Sequence, residues 1–258
     1  GLTLNGFYTG PAKPGAKPMI VMPHGGPHGP YDSWSYDRDA QFLASRGYGV
    51  LQVNFRGSGG RGKRFEESGY QEWGGKMQDD LADGVKWAID NKVADPNRIC
   101  TYGASYGGYA ALMQPIRYPD LYKCAIGYVG VYDLQVMKKK GDIPRAKSGK
   151  RYLERVLGSD EAQLSAWSPA QNVDKVKVPV FLVQGAIAEV EAGRAVFECE
   201  PSESHYNPIG SVHGGVISTL LDSALSCAVH STLPAGTGYT TAELKVNFVR
   251  PVVAGTGR

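Results

Sequence analysis

The stretch RICTYGASYGGYAALM, Arg98 to Met113, decides the fold of this chain. A short apolar run leads into GASYG, residues 103–107, and helix-forming residues follow. This order predicts a strand, a tight turn with Ser105 at its tip, and a helix. Glycines flank the serine because bulky neighbours would clash in so tight a turn. The turn, called the nucleophile turn below, therefore presents the Ser105 hydroxyl at the start of a helix.

Strands and helices alternate along most of the chain. Apolar runs predict strands at 18–23, 49–55, 123–129 and 178–183, and helices are predicted at 39–45, 75–91 and around 153–156. Such alternation predicts an α/β fold, a mostly parallel sheet with helices on both faces. Functional groups gather at the carboxyl ends of parallel strands. Ser105 and the segment HGGP, residues 24–27, both follow predicted strands, so we expect them to converge.

The HGGP segment, called the glycine loop below, is suited to stabilising an oxyanion. Its glycines let the backbone approach a substrate oxygen. The N–H groups of Gly26 and Tyr106 would then face the negative charge that develops during acyl transfer. His24 could be taken for a catalytic base, but it precedes the nucleophile and lies within the glycine loop. Its position therefore favours a loop-shaping role.

Composition and charge argue against several other functions. The 258 residues are 42% apolar and 21% charged, which is ordinary for a globular protein. A net charge of +3 without a basic stripe argues against nucleic acid as a partner. The basic run at 138–151 is interpreted as a solvated loop. No apolar stretch is long enough to span a membrane, and no signal-peptide pattern is present.

The cysteines bear on compartment and on metal binding. They are Cys100, Cys124, Cys199 and Cys227. Their spacing does not match a metal site, and three of them lie in apolar runs. We therefore expect buried free thiols in a cytoplasmic protein, with no metal and no other cofactor.

Several motifs recur in an order typical of the prolyl oligopeptidase family. They are residues 24–27, 54–58 with Gly60 and Gly62, 73–74, 79–81, 103–108, and 168–169 ahead of 178–182. Over about residues 1–185 the chain resembles the catalytic domain of that family, an α/β-hydrolase, closest to its acylaminoacyl-peptidase and dipeptidyl-peptidase-like branch. The resemblance implies a serine peptidase or esterase with Ser105 as nucleophile. It also implies that Gly26 and Tyr106 supply N–H groups to the oxyanion.

The chain departs from the family pattern at the acid and the base of the catalytic triad. The resemblance places the family's aspartate at Ala188, with Glu189 and Glu191 displaced from that position. No loop matches the family's histidine-containing segment. Because a serine hydroxyl is a poor nucleophile without a base, activity through Ser105 requires a histidine from the tail. The candidates are His205, His213 and His230.

From about residue 190 the pattern changes, and it predicts a strand at 195–200, a helix from about 214 to 230 and a half-buried strand at 241–249. In residues 207–208, 210, 213–215, 221–224 and 246–251, this part of the chain resembles a hot-dog-fold thioesterase of the phenylacetate-degradation type. The resemblance implies a helix whose first N–H groups, at Gly214, polarise a thioester carbonyl. Asp222 would act as general base or nucleophile. Asn207 and His213 would position the substrate and the attacking water.

The sequence therefore predicts two domains joined as a fusion. Residues 1–187 would form an α/β-hydrolase domain lacking its last strand, and residues 188–258 the N-terminal part of a hot-dog α+β domain. The favoured function is hydrolysis of acyl bonds in small esters or peptides through Ser105. An acyl-CoA thioesterase working through Asp222 and a non-catalytic fusion are the alternatives. Exposed strand edges also predict a homo-oligomer.

Overall fold

A computed structural model describes residues 2–141 and 143–183, the backbone of 186–191 and 194–198, and a few positions of the tail. Those tail positions are Ile217, Leu221, Ala224, Leu225, Ala228, Val229 and 232–234. The chain divides into two compact units, Gly1–Leu182 and Val183–Arg258. The boundary expected after residue 187 stays a prediction.

Six strands form one mixed sheet in the order β1-β3-β2-β4-β5-β6. They are β1 (Asn5–Thr9), β2 (Lys17–Val21), β3 (Gly49–Asn54), β4 (Ala94–Ala104), β5 (Cys124–Tyr128) and β6 (Val180–Val183). The pairs β2–β3, β2–β4 and β4–β5 are parallel, as predicted. β1 is an antiparallel edge strand that the sequence did not indicate. It contains Gly6, where an added Cβ would lie 2.7 Å from the Gln52 carbonyl oxygen, so close pairing rather than strand propensity selects the residue.

The helices with described bounds are α1 (Arg38–Ser45), α2 (Lys63–Glu67), α3 (Lys76–Asp90), α4 (Tyr106–Arg117), α5 (Leu134–Lys139), α6 (Lys147–Leu157) and α7 (Glu161–Ala166). The predictions at 39–45 and 75–91 match α1 and α3, and 153–156 lies within α6. The helices α2, α5 and α7 were not predicted, because five or six residues are too few to display a helical period. None of these helices is long and apolar enough to cross a membrane.

The basic run at 138–151 does not form the solvated loop that the sequence suggested. It comprises the end of α5, a short 3₁₀ turn at Ile143–Arg145 and the first half of α6. Tertiary burial explains the difference. Leu153, Val156 and Leu157 of α6 are buried in the main core, and their packing stabilises a helix in a segment dominated by charge.

The main core lies between the sheet and its covering helices. All six residues of β3 are buried, as expected for an inner strand covered on both faces. Met77, Leu81 and Val85 of α3 are fully buried, and Ile89 packs at the edge of the core. The apolar face predicted for this helix is therefore the face that contacts the core.

A buried network of amides and phenols ties α3 to α4. Gln78 Nε2 donates to the Trp73 carbonyl at 2.7 Å and to the Tyr106 hydroxyl at 3.2 Å. Gln114 Nε2 donates to the Gln78 carbonyl and to its Oε1, both at 2.9 Å. The network ends at Tyr122, whose hydroxyl donates to Gln114 Oε1 at 2.6 Å. Because these buried groups satisfy one another, the network holds α4, and the turn that precedes it, in one orientation.

The prediction of free thiols is wrong for two of the four cysteines. Cys100 on β4 and Cys124 on β5 are partners in the parallel register, with Cα atoms 4.7 Å apart, and they form a disulfide. The two cysteines are separated by 24 positions in the sequence, with no motif that indicates the pairing, so the sheet register alone decides it. Cys100 and Cys124 therefore do not support the expected cytoplasmic location. Cys199 and Cys227 lie outside the described residues.

The second unit begins with a hairpin. β7 (Ala186–Glu191) and β8 (Arg194–Glu198) pair antiparallel, with Ala186 opposite Glu198 and Glu191 opposite Arg194. β8 overlaps the strand predicted at 195–200, whereas β7 was not predicted. The predicted helix around 214–230 and the strand at 241–249 fall largely or wholly outside the described residues.

Candidate active site

Ser105 occupies the turn between β4 and α4 in a left-handed backbone conformation. Its φ of 57° and ψ of −119° are rare for a residue with a side chain, and such a conformation costs on the order of 1–3 kcal/mol. The Ser105 N–H donates to the Tyr128 carbonyl at 3.0 Å, and its carbonyl accepts from the Tyr109 N–H at 3.1 Å. Ser105 is exposed, whereas Tyr106 is buried. The structure therefore has the tight, outward-facing turn that the sequence predicts.

Glycines around Ser105 permit close contact between backbones. A Cβ added at Gly107 would lie 2.2 Å from the Pro23 carbonyl oxygen. One added at Gly103 would lie 2.5 Å from the Gly107 carbonyl group. The nucleophile turn thus packs directly against the end of β2, which leads into the glycine loop.

Replacing Gly107 with alanine should destabilise the fold by about 2–3 kcal/mol, because a backbone oxygen cannot move aside as a side chain can. Urea unfolding measures the effect. Gly108→Ala is the graded control: its added carbon would approach no atom closer than 3.0 Å, so a smaller loss is expected. Equal stabilities for the Gly107→Ala variant and the wild type would contradict the close approach.

The glycine loop lies against the nucleophile turn. A Cβ added at Gly25 would lie 3.7 Å from Ser105 Cβ and 3.3 Å from the Ala104 carbonyl oxygen. Gly26 has a φ of +122°, in the region that favours glycine. The Pro30 ring leaves no space for a side chain there, since an added Cβ would lie 2.8 Å from its Cγ. The expected convergence of the two motifs is therefore present.

His24 holds the glycine loop rather than facing Ser105. Its Nδ1 lies 2.8 Å from the Gly25 carbonyl oxygen, and its Nε2 lies 2.7 Å from Ser58 Oγ. The ring stacks on Phe55 with centroids 4.5 Å apart. Burial lowers the pKa of His24, so the ring is neutral, with Nδ1–H donating to Gly25 and Nε2 accepting from Ser58. Holding the Gly25 carbonyl also orients the peptide group that carries the Gly26 N–H.

His28 is the other histidine in the described part of the chain. Its Nε2 accepts from Trp73 Nε1 at 3.1 Å, and its ring meets the edge of Tyr70 at 4.9 Å between centroids. Burial lowers the pKa of His28 to about 4, so this ring is also neutral. Among the described residues, Ser105 Oγ has no hydrogen-bond partner. Neither described histidine therefore contacts the Ser105 hydroxyl.

An ion pair anchors the loop that supplies Ser58. Arg56 Nε and Nη2 donate to the two carboxylate oxygens of Asp80 at 2.8 and 2.6 Å. The Arg56 N–H also donates to Asp80, at 2.8 Å. The Asp80 side chain is only 3% exposed. The two residues come from separate sequence motifs, and nothing in the sequence indicates that they pair.

The segment after the glycine loop is fastened to β3 through Asp32. Its N–H donates to Asn54 Oδ1, and Asn54 Nδ2 donates back to the Asp32 carbonyl, both at 2.8 Å. Gln52 Nε2 donates to Asp32 Oδ1 at 3.0 Å, whereas Asp32 Oδ2 is buried without a partner. Burial raises the pKa of the Asp32 carboxyl from 3.8 to about 6.

This raised pKa predicts a pH dependence of stability. The contribution of the neutral Asp32 carboxyl to the free energy of unfolding is fully present below pH 3.8. It is lost as the pH rises through about 6, the pKa in the folded state. Asp32→Asn should therefore increase the free energy of unfolding at pH 7 by on the order of 2 kcal/mol, with a much smaller gain at pH 4. Denaturant unfolding at both pH values measures it, with exposed Asp174→Asn as control. A gain that does not change with pH would contradict the assignment.

Comparison with known proteins identifies the family. The family model described as the prolyl oligopeptidase family matches residues 34–187. The chain belongs to the prolyl oligopeptidase family. A second model, the thioesterase superfamily, matches residues 209–256. Both resemblances recognised in the sequence are thereby confirmed.

Curated members of the prolyl oligopeptidase family align with the first part of the chain. Dipeptidyl aminopeptidase BIII of Pseudoxanthomonas mexicana is 39% identical over 186 residues, which cover 66% of this chain and 25% of that protein. Dipeptidyl peptidase family member 6 of Caenorhabditis elegans is 36% identical, with 65% of this chain and 23% of that protein covered. This chain thus spans about a quarter of the length of these relatives.

Solved structures of the family share the fold. Acylaminoacyl peptidase of Pyrococcus horikoshii superposes with a TM-score of 0.64 at 29% identity, covering 71% of this chain and 30% of that one. A puromycin-hydrolysing peptidase of Mycobacterium tuberculosis gives 0.64 at 28% identity, covering 70% and 28%. The α/β-hydrolase fold predicted for the first part of the chain is therefore confirmed.

The remaining predicted site residues belong to the second unit. Asn207, His213, Gly214 and Asp222 lie outside the described residues, as do His205 and His230. Ala188, Glu189 and Glu191 form part of β7, which is described by its backbone. The acid and base that would serve Ser105, and the thioesterase site, therefore stay predictions.

Proposed function

We propose that this chain hydrolyses acyl bonds of esters or short peptides through Ser105. The observation that carries the proposal is the strained turn that exposes Ser105 beside the glycine loop. Strain of this kind persists where the surrounding structure imposes it, and it is common at active sites. The relatives include dipeptidyl and acylamino-acid peptidases, which favours peptide substrates.

In the proposed reaction, Ser105 Oγ attacks the carbonyl carbon while a base accepts its proton. The negative charge on the tetrahedral oxygen is stabilised by the N–H groups of Tyr106 and Gly26. Tyr106 is the first residue of α4, where unpaired N–H groups carry partial positive charge. Collapse of the intermediate releases the amine or alcohol, and water then hydrolyses the acyl-enzyme.

We propose that a histidine of the tail supplies the base. His24 and His28 are engaged in holding the glycine loop and the residues after it, so neither is available to Ser105. The remaining histidines are His205, His213 and His230. If one of them serves Ser105, replacing it with alanine should lower turnover to nearly the level of Ser105→Ala.

A fluorophosphonate probe tests the proposed nucleophile. Wild-type protein should be labelled stoichiometrically, and mass spectrometry of peptides should locate the adduct on Ser105. The Ser105→Ala variant and heat-unfolded wild type serve as controls, and both should remain unlabelled. A cooperatively folded wild-type protein that resists the probe would overturn the proposal.

The match to the thioesterase superfamily over residues 209–256 favours a second candidate function. In that reading, Asp222 and the Gly214 N–H hydrolyse an acyl-CoA thioester, with Asn207 and His213 placing substrate and water. Release of free CoA thiol should be lost in Asp222→Asn and unchanged in Ser105→Ala. Loss of thiol release in Ser105→Ala would assign that activity to the first unit instead.

A further inference from the structure

Positive charge is concentrated on one segment of the chain. Seven of the 28 Lys and Arg residues fall within residues 138–151, beside a single acidic residue, Asp142. The rest of the chain consequently has more acidic than basic residues, although the net charge of the whole is +3. The excess of positive charge is therefore confined to this segment.

Most of these cations have no ion-pair partner among the residues that the structure describes. Six are exposed, and none lies within 4.0 Å of a carboxylate in the described part of the chain. They are Lys139, Lys140, Arg145, Lys147, Lys150 and Arg151, and together they are called the cationic face below. The seventh, Lys138, differs because it is partly buried and its Nζ donates to the Gly158 carbonyl at 2.6 Å. Unpaired cations held close together repel one another and favour an anionic partner.

Helix α6 gives the cationic face a fixed backbone. The helix packs into the main core through Leu153, Val156 and Leu157, in its second half. Lys147, Lys150 and Arg151, in its first half, are spaced three and four residues apart and are exposed neighbours on its surface. Because the backbone is anchored, binding a partner here would require ordering only the side chains.

Helices α5 and α6 come after β5 in the chain, and contacts of α6 connect it to the region of Ser105. Both helices follow the carboxyl end of β5, whose last residue, Tyr128, accepts the hydrogen bond from the Ser105 N–H. The Tyr152 ring of α6 lies 6.4 Å from His28, just after the glycine loop. Arg155, one turn after Arg151, pairs with Glu67 of α2 at 2.5 Å. Helix α6, which carries three of the six cations, thus contacts the segment that follows the glycine loop.

We infer that the cationic face binds acidic segments of peptide substrates and brings them to Ser105. The inference rests on the proposed function, and it adds the substrate class. Fields from clustered charges raise the local concentration of an oppositely charged ligand and speed its association. A peptide is favoured over a nucleic acid because the cations lie in the same unit as Ser105, in a chain of the prolyl oligopeptidase family.

Fluorescence anisotropy tests the binding step. Full-length Ser105→Ala is titrated with a fluorescein-labelled decapeptide rich in glutamate and with its glutamine counterpart, in low and in high salt. The acidic peptide should bind about tenfold more tightly at low salt, and the difference should shrink as salt screens the charges. Lys147→Gln/Lys150→Gln/Arg151→Gln should remove the preference.

The control variant changes the same number of charges elsewhere. Lys13→Gln/Lys92→Gln/Lys123→Gln neutralises three exposed lysines outside the cationic face and should leave the preference intact. An equal loss in both triple variants would reduce the effect to net charge and overturn the inference. An oligothymidylate of equal charge that binds about tenfold more tightly than the acidic peptide would also overturn it, in favour of nucleic acid.

Kinetics separate this inference from the proposed function. With wild-type protein, the triple variant of the cationic face should raise KM for an acidic peptide about tenfold, with kcat unchanged, and leave turnover of an uncharged ester as it was. Labelling of Ser105 without any preference for the acidic peptide would contradict this inference alone. A preference in binding without labelling of Ser105 would contradict the proposed function alone.

Discussion

Ser105→Ala should lower kcat/KM for a p-nitrophenyl ester by on the order of 10⁴-fold, because no other nucleophile is placed at the turn between β4 and α4. The exposed hydroxyl is the group that would form the acyl-enzyme, and alanine removes only that oxygen. The alanine variant keeps the backbone of the turn, since it adds no atom to a site where Gly25 and Gly107 leave little space. Initial rates measured over background hydrolysis give the ratio.

The size of this loss also reports on the base. A drop of 10⁴-fold requires that a histidine of the tail reach Ser105 in the wild type. If wild-type turnover is instead only tens of times above Ser105→Ala, and added imidazole raises it, then Ser105 works without a base from the chain. That outcome would contradict the proposed role of His205, His213 or His230 while leaving Ser105 as the nucleophile. Equal thermal melting of the two proteins is the control for folding.

Asp80→Ala should lower the free energy of unfolding by about 3–5 kcal/mol, because it leaves the Arg56 guanidinium without its buried partner. Arg56 is 19% exposed at its side chain and Asp80 only 3%, so solvent cannot replace the lost carboxylate fully. Three hydrogen bonds are lost together, including the one from the Arg56 N–H. Denaturant unfolding at pH 7 measures the change.

A matched control lies in the same helix. Asp83 also pairs with a cation, Lys86, but both side chains are more than half exposed. Asp83→Ala should therefore change stability by less than about 1 kcal/mol. Similar losses for Asp80→Ala and Asp83→Ala would contradict the claim that burial makes the Arg56–Asp80 pair important. The fluorophosphonate probe should also react more slowly with Asp80→Ala, since the loop that carries Ser58 loses its anchor.

The local elements of the first unit could be predicted because their causes are local. Alternating apolar runs and helical periods lie within a dozen residues, and α1 and α3 match their predictions within two residues. The turn at Ser105 was predictable for the same reason, since the spacing of Gly103 and Gly107 reports a backbone conformation directly. The edge strand β1 and the short helices were missed because they contain too few residues to show a hydrophobic period.

Contacts between distant residues could not be predicted, even where both partners had been noticed. Arg56 and Asp80 lie in two recognised motifs, yet only the packing of the loop after β3 against α3 brings them together. His24 was assigned to the loop, but the donor to its Nε2, the Ser58 hydroxyl, lies 34 residues away. The basic run at 138–151 was interpreted as a loop because its many charged residues obscure the apolar period of a helix. Tertiary burial stabilises that helix.

The amino-acid sequence by itself determined the alternation of strands and helices, the turn that exposes Ser105, and the change from a peptidase-like to a thioesterase-like pattern near residue 190. Tertiary structure alone decided that Cys100 bonds to Cys124, that Asp80 neutralises Arg56, and that Ser58 is a hydrogen-bond partner of His24. The reason is physical. Backbone preferences act between near neighbours, whereas sheet register and helix packing choose which distant side chains meet.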